Sequence, residues 1–400
     1  MNNSSPIPTQ RLAVCRGALR SIALALATWL SGPATHGMPP PAGTVAPLPR
    51  EANTLDALSN KSGTPAVPAI FNLSPAIGVN GSVVTISGTN FSATPGMNLV
   101  RFGAVQANVL AAGPASLIVT VPASATYGPV TVTVGGLTAW SGQCFEPTFS
   151  GTNSVISDSS FDPSFDLDTA AGPGTCIIAD IDGDGKPDLI VACGGGSVLS
   201  IYLNLSTPGT PLSTASFAPP FDLSFPTNGT GGNPYRVRAV DLDGDGKLDL
   251  VATEVGGNRV SVFHNLSTPG NLVFEAPFAL IVGNDCRSAA AGDLDGDGRP
   301  DIVALNYGDK TISLLKNIGT AAGVLNASSF AAPVVLAAPG GPYEAVIADL
   351  NGDGLPDLAV AESDGGTVTI FQNAGGVLSS NTFPASFDLP CGDTTASLVA

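Results

Sequence analysis

Charged side chains are scarce in this sequence. Only 12% of its 400 residues are Asp, Glu, Lys or Arg, and the 15 Lys and Arg form no basic cluster, so nucleic acid is not an expected partner. Histidine is nearly absent, and no GxSxG, HExxH or phosphate-cradling sequence occurs. We therefore predict that the chain is not an enzyme, with no catalytic residue, and that His264 is a surface residue and not a general base.

The six cysteines include no CxxC pair, which argues against zinc and thioredoxin-like chemistry. Cys176 and Cys193 flank the same short loop, so a disulfide between them and two small buried thiols both remain open. Beyond the N-terminus no apolar run is long enough to cross a bilayer, and we expect no transmembrane segment in the mature chain.

The first 37 residues have the pattern of a secretory signal peptide. Arg11, Arg16 and Arg20 precede an apolar run at 22–30, and small residues follow it. Residues 38–66 are rich in Pro, Ala, Ser and Thr and are predicted to be a linker. The expected location is therefore outside the cell or on its surface, where millimolar Ca²⁺ can fill weak sites.

Glycine (48) and proline (34) are abundant, which suits short strands and many turns. A nine-residue acidic motif occurs four times, as DIDGDGKPD (180–188), DLDGDGKLD (241–249), DLDGDGRPD (293–301) and DLNGDGLPD (349–357). Its side chains at positions 1, 3, 5 and 9 and its carbonyl at position 7 can converge on a hard cation, since glycine permits the sharp turn. Position 12 is Val or Ala in an apolar run, not the Glu of an EF-hand. Each motif is thus predicted to be a Ca²⁺ loop between two strands.

The loops also explain most of the net charge of −17, because they hold 15 of the 32 acidic residues. Four bound Ca²⁺ ions would add eight positive charges and leave about −9. A basic partner is therefore not required.

Two further marks recur with the loops. An Asn stands 24 residues after each loop-opening Asp, at Asn204, Asn265, Asn317 and Asn373. A Phe-x-x-x-Phe pattern, with Val334 in place of one Phe, returns every 53 to 57 residues. Each unit holds four short strands, one before the loop, two after it and one at the Phe mark, which is typical of a propeller blade. We expect the Phe residues to pack between neighbouring blades.

Residues 147–400 resemble the FG-GAP/VCBS repeat family, the integrin-alpha-like β-propellers. The resemblance implies about four Ca²⁺ sites, with Asn351 lowering the charge of the fourth. It also implies a fragment of a longer protein, because about four and a half of the usual seven blades are present. The implied ligands, which are side chains except for the carbonyls at position 7, are Asp180, Asp182, Asp184, Lys186, Asp188, Asp241, Asp243, Asp245, Lys247, Asp249, Asp293, Asp295, Asp297, Arg299, Asp301, Asp349, Asn351, Asp353, Leu355 and Asp357.

Residues 67–146 contain short alternating strands, such as 83–86, 117–121 and 130–134, separated by Gly, Pro and Asn turns. Their details, including VTISGTNF at 84–91, resemble the immunoglobulin-like IPT/TIG family, whose domains are spacers or docking modules. Trp140 and Phe145 are expected to be core residues. The predicted fold class is all-β, an Ig-like β-sandwich followed by a partial integrin-alpha-like propeller of four-stranded blades.

Strand alternation places the loops and the Asn turns on one face of the repeats, and the second turns on the other. On that opposite face Gly174, Tyr235, Arg287 and Tyr343 occupy one equivalent position. Such unlike residues suit a ligand-binding surface at Tyr235, Arg287 and Tyr343 better than a repeated packing need, and ordinary turn variability is the alternative. The predicted function is non-catalytic adhesion or recognition of an extracellular protein or glycan. The alternatives are a propeller attached to a polysaccharide lyase or hydrolase, and a structural cell-surface spacer.

Overall fold

The computed structural model of the protein describes residues 66–149, 161–225, 232–320, 322–391 and 397–398. The predicted signal peptide (1–37) and all but the end of the predicted linker (38–66) lie outside these ranges. Within them the long elements are β-strands and no α-helix occurs. The helical elements are short 3₁₀ turns at Pro95–Met97, Gly194–Gly196, Thr214–Ser216 and Ala327–Ser329.

Eight strands form the N-terminal domain. They are β1 (Ala69–Ser74), β2 (Ile77–Val79), β3 (Val83–Thr89), β4 (Leu99–Phe102), β5 (Val105–Gly113), β6 (Ser116–Thr120), β7 (Gly128–Val134) and β8 (Leu137–Thr148). Their order is β1-β3-β6-β5-β4-β7-β8-β2. The long β5 pairs with β4 through its first residues and with β6 through its last, so it joins two sheets around one core.

The core of this domain follows from strand alternation. In β3 the buried residues are Val84, Ile86 and Gly88, while their neighbours face outward. Phe102 and Phe145 meet edge to face at 4.7 Å between ring centroids, and both are fully buried. Phe145 is therefore a core residue, as predicted.

The remaining described strands form four sheets of four antiparallel strands, which we call blades 1 to 4. Blade 1 contains β9 (Pro173–Ala179), β10 (Asp188–Cys193), β11 (Val198–Tyr202) and β12 (Phe221–Ser224). Blade 2 contains β13 (Pro234–Val240), β14 (Asp249–Glu254), β15 (Arg259–Phe263) and β16 (Phe278–Ile281). Blade 3 contains β17 (Cys286–Gly292), β18 (Asp301–Asn306), β19 (Thr311–Leu315) and β20 (Val334–Ala337), and blade 4 contains β21 (Pro342–Ala348), β22 (Asp357–Glu362), β23 (Thr367–Gln372) and β24 (Ala385–Pro390).

These bounds confirm the predicted division of each unit. Every acidic loop joins the first and second strands of its blade, and the fourth strand lies at the Phe mark. The first Phe mark is an exception to the prediction of a strand at each mark. Phe161 and Phe165 precede blade 1 and form no strand, because no neighbouring strand in the described residues offers them a ladder.

The cores of the repeats lie between blades. One apolar cluster joins blades 1 and 2, another joins blades 2 and 3, and a third joins blades 3 and 4. Position 2 of a loop contributes to each of them through Ile181, Leu242 and Leu294, which are 2% exposed or less. The predicted inter-blade Phe packing is present at Phe278 and Phe330, whose ring centroids are 6.5 Å apart.

The N-terminal domain lies against the loop face of the repeats. The backbone N–H of Thr138 donates to the carbonyl of Gly298 at 2.7 Å, and the N–H of Asp180 donates to the carbonyl of Ala104 at 3.4 Å. At Gly244 the approach is so close that an added Cβ would lie within 2.6 Å of the backbone of Gly136. Glycine at this loop position therefore permits both a positive φ of 75° and domain contact.

Candidate functional site

Each acidic loop is held in shape by its own carboxylates. In all four loops, glycines at positions 4 and 6 have positive φ. The position-1 carboxylate accepts a hydrogen bond from the N–H of the position-6 glycine, for example Gly185 to Asp180 at 3.1 Å. The position-5 carboxylate accepts one from the N–H of position 7. These bonds turn the side chains inward and leave other carboxylate oxygens available.

The aspartate at position 9 connects the loop to the third turn of the blade. In blade 2, one oxygen of Asp249 accepts from the N–H of Leu242 at 3.0 Å and the other from the N–H of Asn265 at 2.9 Å. Both bonds recur in the other three blades. Loop and Asn turn therefore share one face, as predicted.

The Asn marks also join successive blades. Asn265 Nδ2 donates to the carbonyl of Leu248 in its own loop at 2.9 Å and to that of Ile181 in the preceding loop at 2.7 Å. Asn317 and Asn373 make the same pair of contacts, reaching Leu242 and Leu294 in the preceding loops. The constant spacing of the Asn marks was recognised from the sequence, but their role in joining blades was not. That spacing was the signal that could have indicated the role.

Carboxylate oxygens converge in the first three loops. Oxygens of Asp180, Asp182 and Asp188 lie within 4.8 Å of one another, and similar groups occur at Asp241, Asp243 and Asp249 and at Asp293, Asp295 and Asp297. In the first and third loops one buried oxygen, Asp180 Oδ1 or Asp295 Oδ1, has no hydrogen-bond partner. Clustered carboxylates with unpaired buried oxygens fit a hard divalent cation, which would supply the missing positive charge.

Burial makes these carboxylates costly to ionise without such a cation. Desolvation raises the pKa of Asp188 and of Asp241 to about 7, and that of Asp301 to about 8. It raises the pKa of Asp293 to about 6, and that of Asp249 well above its usual range. The charges of neighbouring loop aspartates contribute to these raised pKa values, and hydrogen bonds from backbone N–H groups oppose the rise.

The fourth loop differs from the others. Asp349, Asn351 and Asp353 are exposed, although Asp357 is buried. Its position-2 residue, Leu350, is 52% exposed where its counterparts are buried. Its ligand positions are present, but they are not desolvated like those of the first three loops.

The charged side chains at position 7 add ion pairs to the first three loops. Lys186 Nζ lies 2.8 Å from Asp184 Oδ2, and Lys247 Nζ lies 3.4 Å from Asp245 Oδ2. Arg299 contacts Asp297 in the same way, while Leu355 carries no charge.

His264 is not the surface residue that the sequence analysis expected. It is 2% exposed, with Nε2 3.0 Å from Asp243 Oδ2 and Nδ1 3.2 Å from Glu275 Oε2. The end of the third strand lies over the acidic loop, which is why a residue predicted to face solvent is buried between two carboxylates.

Arg101 of the N-terminal domain reaches into the loop face. Its Nη2 donates to the carbonyl of Gly246 at 2.6 Å, and the side chain is 5% exposed. Desolvation lowers the pKa of Arg101, and the charges of Asp241 and Asp180 oppose that effect. The first two loops thus share a buried cation supplied by another domain.

The three residues predicted for ligand binding come together on the face opposite the loops. The hydroxyls of Tyr235 and Tyr343 are hydrogen-bonded at 2.5 Å, and their rings meet edge to face. The guanidinium carbon of Arg287 lies 5.8 Å from the Tyr343 ring centroid. All three residues are half-buried.

Sequence reasoning missed a fourth member, Tyr307. Arg287 stacks on its ring at 3.7 Å, and its ring meets that of Tyr343 edge to face. The equivalent residues of the other second turns are Gly194, Val255 and Ser363, so the lone aromatic could have been noticed. We call Tyr235, Arg287, Tyr307 and Tyr343 the tyrosine cluster.

Ion pairs beneath the tyrosine cluster join blades that are not adjacent. Glu344 of blade 4 is buried and pairs with Arg236 and Arg238 of blade 2, each at 2.6 Å. The Tyr235–Tyr343 contact spans the same two blades. These pairs fix the first strands of the blades under the cluster.

Two further expectations concern Cys176 and Trp140. Cys176 and Cys193 are free thiols, and Cys176 lies opposite Val191 instead of Cys193 in the ladder. Trp140 is half-buried and is not a core residue, contrary to expectation. It lines a cleft of about 360 Å³ between the N-terminal domain and the first strands of blades 1 and 2, where Arg101 and Asp241 also lie.

The architecture defines an all-β protein in which a sandwich domain precedes four-stranded sheets with acidic loops. Family models agree with this class: the IPT/TIG domain matches residues 68–149, and the FG-GAP-like repeat matches 180–252, 241–304 and 293–360. The chain is thus an FG-GAP-repeat protein with an N-terminal IPT/TIG domain. None of the described residues forms a helix with the length and hydropathy of a membrane span.

Solved structures share only a general similarity with this chain. An auxiliary nutrient binding protein from Bacteroides ovatus is 14% identical, with 78% of this chain and 85% of that chain covered and a TM-score of 0.27. An exo-β-1,3-galactanase from Phanerochaete chrysosporium is 13% identical, with 52% and 47% covered and a TM-score of 0.32. A functionally unknown protein from Desulfotomaculum acetoxidans is 10% identical, with 78% and 86% covered and a TM-score of 0.35. At these scores the likeness identifies no function. No curated protein matched the sequence.

Proposed function

We propose that this protein is a secreted or cell-surface Ca²⁺-binding recognition protein without catalytic activity. In this proposal Ca²⁺ occupies the acidic loops, and the face that carries the tyrosine cluster binds an extracellular protein or glycan. The FG-GAP and IPT/TIG domains favour a surface or binding role. The predicted ligand positions of the four loops would hold the ions.

The observation that carries the recognition role is the convergence of three tyrosines and Arg287 on one face. Tyrosine rings and guanidinium groups supply large contact area with polar tips, and they are enriched at the centres of binding interfaces. The opposite face is less available, because the IPT/TIG domain contacts its loops through Arg101, Ala104 and Thr138.

The Ca²⁺ component is supported by the converging carboxylates of the first three loops and by the buried, unpaired oxygens of Asp180 and Asp295. An ion in each loop would neutralise carboxylates whose burial opposes ionisation, and it would hold the two strands of the loop together. For a dissociation constant of ~10⁻⁴ M, millimolar Ca²⁺ stabilises the folded state by roughly 1.4 kcal/mol per site. Melting in Ca²⁺ and in chelator tests this component, and equal melting temperatures would refute it.

A glycan array, probed with and without Ca²⁺, tests the recognition component. Against any ligand found there, the combined variant Tyr235→Ala, Arg287→Ala and Tyr343→Ala should lose at least tenfold in affinity, since such contacts dominate interfaces. The control is Tyr127→Ala, which removes a 60% exposed tyrosine of the IPT/TIG domain. Undiminished binding by the triple variant would exclude this face.

A further inference from the structure

One position beside the acidic loops differs chemically in every blade. It is the residue immediately before the Asn mark: Leu203, His264, Lys316 and Gln372. Because the N–H of each Asn donates to the position-9 aspartate at 2.8 to 2.9 Å, the end of the third strand is fixed over the loop. We call this residue the loop neighbour.

In blade 3 the loop neighbour is a cation seated on the carboxylates. Lys316 Nζ forms a close ion pair with Asp295 Oδ2 and lies 3.2 Å from Asp297 Oδ2. The Lys316 side chain is only 20% exposed. Arg299 also pairs with Asp297, so two fixed cations contact the carboxylates at positions 3 and 5 of this loop.

The same geometry recurs in blade 2 with a different group. There Nε2 of His264 lies 3.0 Å from Asp243 Oδ2, the position-3 carboxylate. The loop neighbour thus approaches the position-3 side chain in both blades. The two loops therefore differ in the chemical type of the loop neighbour and not in its position.

Blade 1 has no charge at this position. Leu203 is half-buried and packs in the apolar cluster between blades 1 and 2. The position-7 residue Lys186 pairs with Asp184, as Arg299 does with Asp297 in the third loop. The first and third loops therefore have the same carboxylate positions and a position-7 cation. They differ at the loop neighbour, and the buried Arg101 lies beside the first loop.

We propose that Lys316 makes the third loop a low-affinity Ca²⁺ site that fills after the first loop as the Ca²⁺ concentration rises. This inference rests on the proposed Ca²⁺ function. The ammonium repels a divalent ion held by the same carboxylates, and partial burial strengthens that repulsion. The ion must also compete with Lys316 for Asp295 and Asp297, two of the three aspartates whose oxygens converge in this loop.

The third loop also contacts the IPT/TIG domain. Gly298, at position 6, accepts the hydrogen bond from Thr138 of that domain. Both sites therefore adjoin the IPT/TIG domain, since the N–H of Asp180 in the first loop donates to the carbonyl of Ala104.

Isothermal titration of the full chain with Ca²⁺ tests the inference. In Lys316→Gln one of the weak binding steps should become at least tenfold tighter, whereas Lys316→Arg should keep that step weak because the charge remains. Leu203→Lys should weaken one of the tighter steps by a similar factor. The matched control is Lys310→Gln, which removes a lysine paired with Asp364 away from the loops and should change no step.

The outcomes separate the two proposals. If wild type and variants bind no Ca²⁺, the proposed Ca²⁺ function itself is wrong. If Ca²⁺ binds and Lys316→Gln has the same steps as wild type, only the role of Lys316 is wrong. If Ca²⁺ binding tightened equally in Lys316→Gln and Lys310→Gln, the proposed role of Lys316 would also be wrong, because the effect would then come from the net charge of the protein.

Discussion

Removal of the amide of Asn265 should destabilise the protein through a contact between blades. Asn265 is fully buried, and its side chain makes three hydrogen bonds. It donates to Ile181 and Leu248 and accepts from the N–H of Ser267 at 2.9 Å. Each bond contributes about 1 kcal/mol net, and each buried group left unpaired costs about 1 to 3 kcal/mol. Asn265→Ala should therefore lower the free energy of unfolding by about 3 to 5 kcal/mol.

Asn204→Ala is the matched control. Asn204 bonds Pro187 and Ser206 in the same way but makes no bond to another blade within the described residues, and it is only half-buried. Its replacement should cost about 1 to 2 kcal/mol. Asn265→Asp should be at least as damaging as Asn265→Ala at neutral pH, because it places a carboxylate against two carbonyl oxygens.

Urea unfolding in Ca²⁺, followed by far-ultraviolet circular dichroism, measures these differences. The Asn265→Ala midpoint should lie clearly below that of Asn204→Ala. If the two variants lose the same stability, the bond to Ile181 contributes nothing and the proposed joint between blades is wrong.

Three further predictions use other features. Arg101→Leu removes the hydrogen bond to the carbonyl of Gly246, so amide hydrogen exchange at 99–102 and 241–249 should become faster. Unchanged exchange would show that Arg101 does not hold the domains together. In Ca²⁺-free protein, burial raises the pKa of Asp188 to about 7, so the folded chain retains a proton that the unfolded chain has released. As the pH is raised from 5 to 8, the melting temperature in chelator should therefore fall. A rise would show that Asp188 does not retain a proton in the folded protein. Cys176 is exposed, whereas burial raises the pKa of Cys286 to about 12, so iodoacetamide mapping by mass spectrometry should label Cys176 and spare Cys286; comparable labelling would refute this.

Local sequence patterns predicted the blades well. Each of the three repeated marks, the acidic loop, the Asn and the Phe pattern, indicates a turn or a strand within one unit. The order of these marks along the chain gives the strand order. Strands β14 and β18 are buried at every residue, as their apolar sequences indicated. The strand expected at the Phe161 mark was wrong, since none forms there.

Contacts between distant segments were not predictable in this way. Nothing local to Arg101 indicates that it enters a loop face 145 residues further along the chain. His264 was assigned to the surface because it follows a strand, yet the fold places that strand end over an acidic loop. Trp140 was assigned to the core, although the packing of two domains places it in a cleft.

The bonds that the Asn marks make between blades all point in one direction. Asn265, Asn317 and Asn373 each bind the loop of the blade that precedes them in the chain. When a blade emerges from the ribosome, the carbonyl that accepts the bond from its Asn mark has therefore already been synthesised. Folding can proceed in the order of translation, and each folded blade can provide the surface against which the next blade packs.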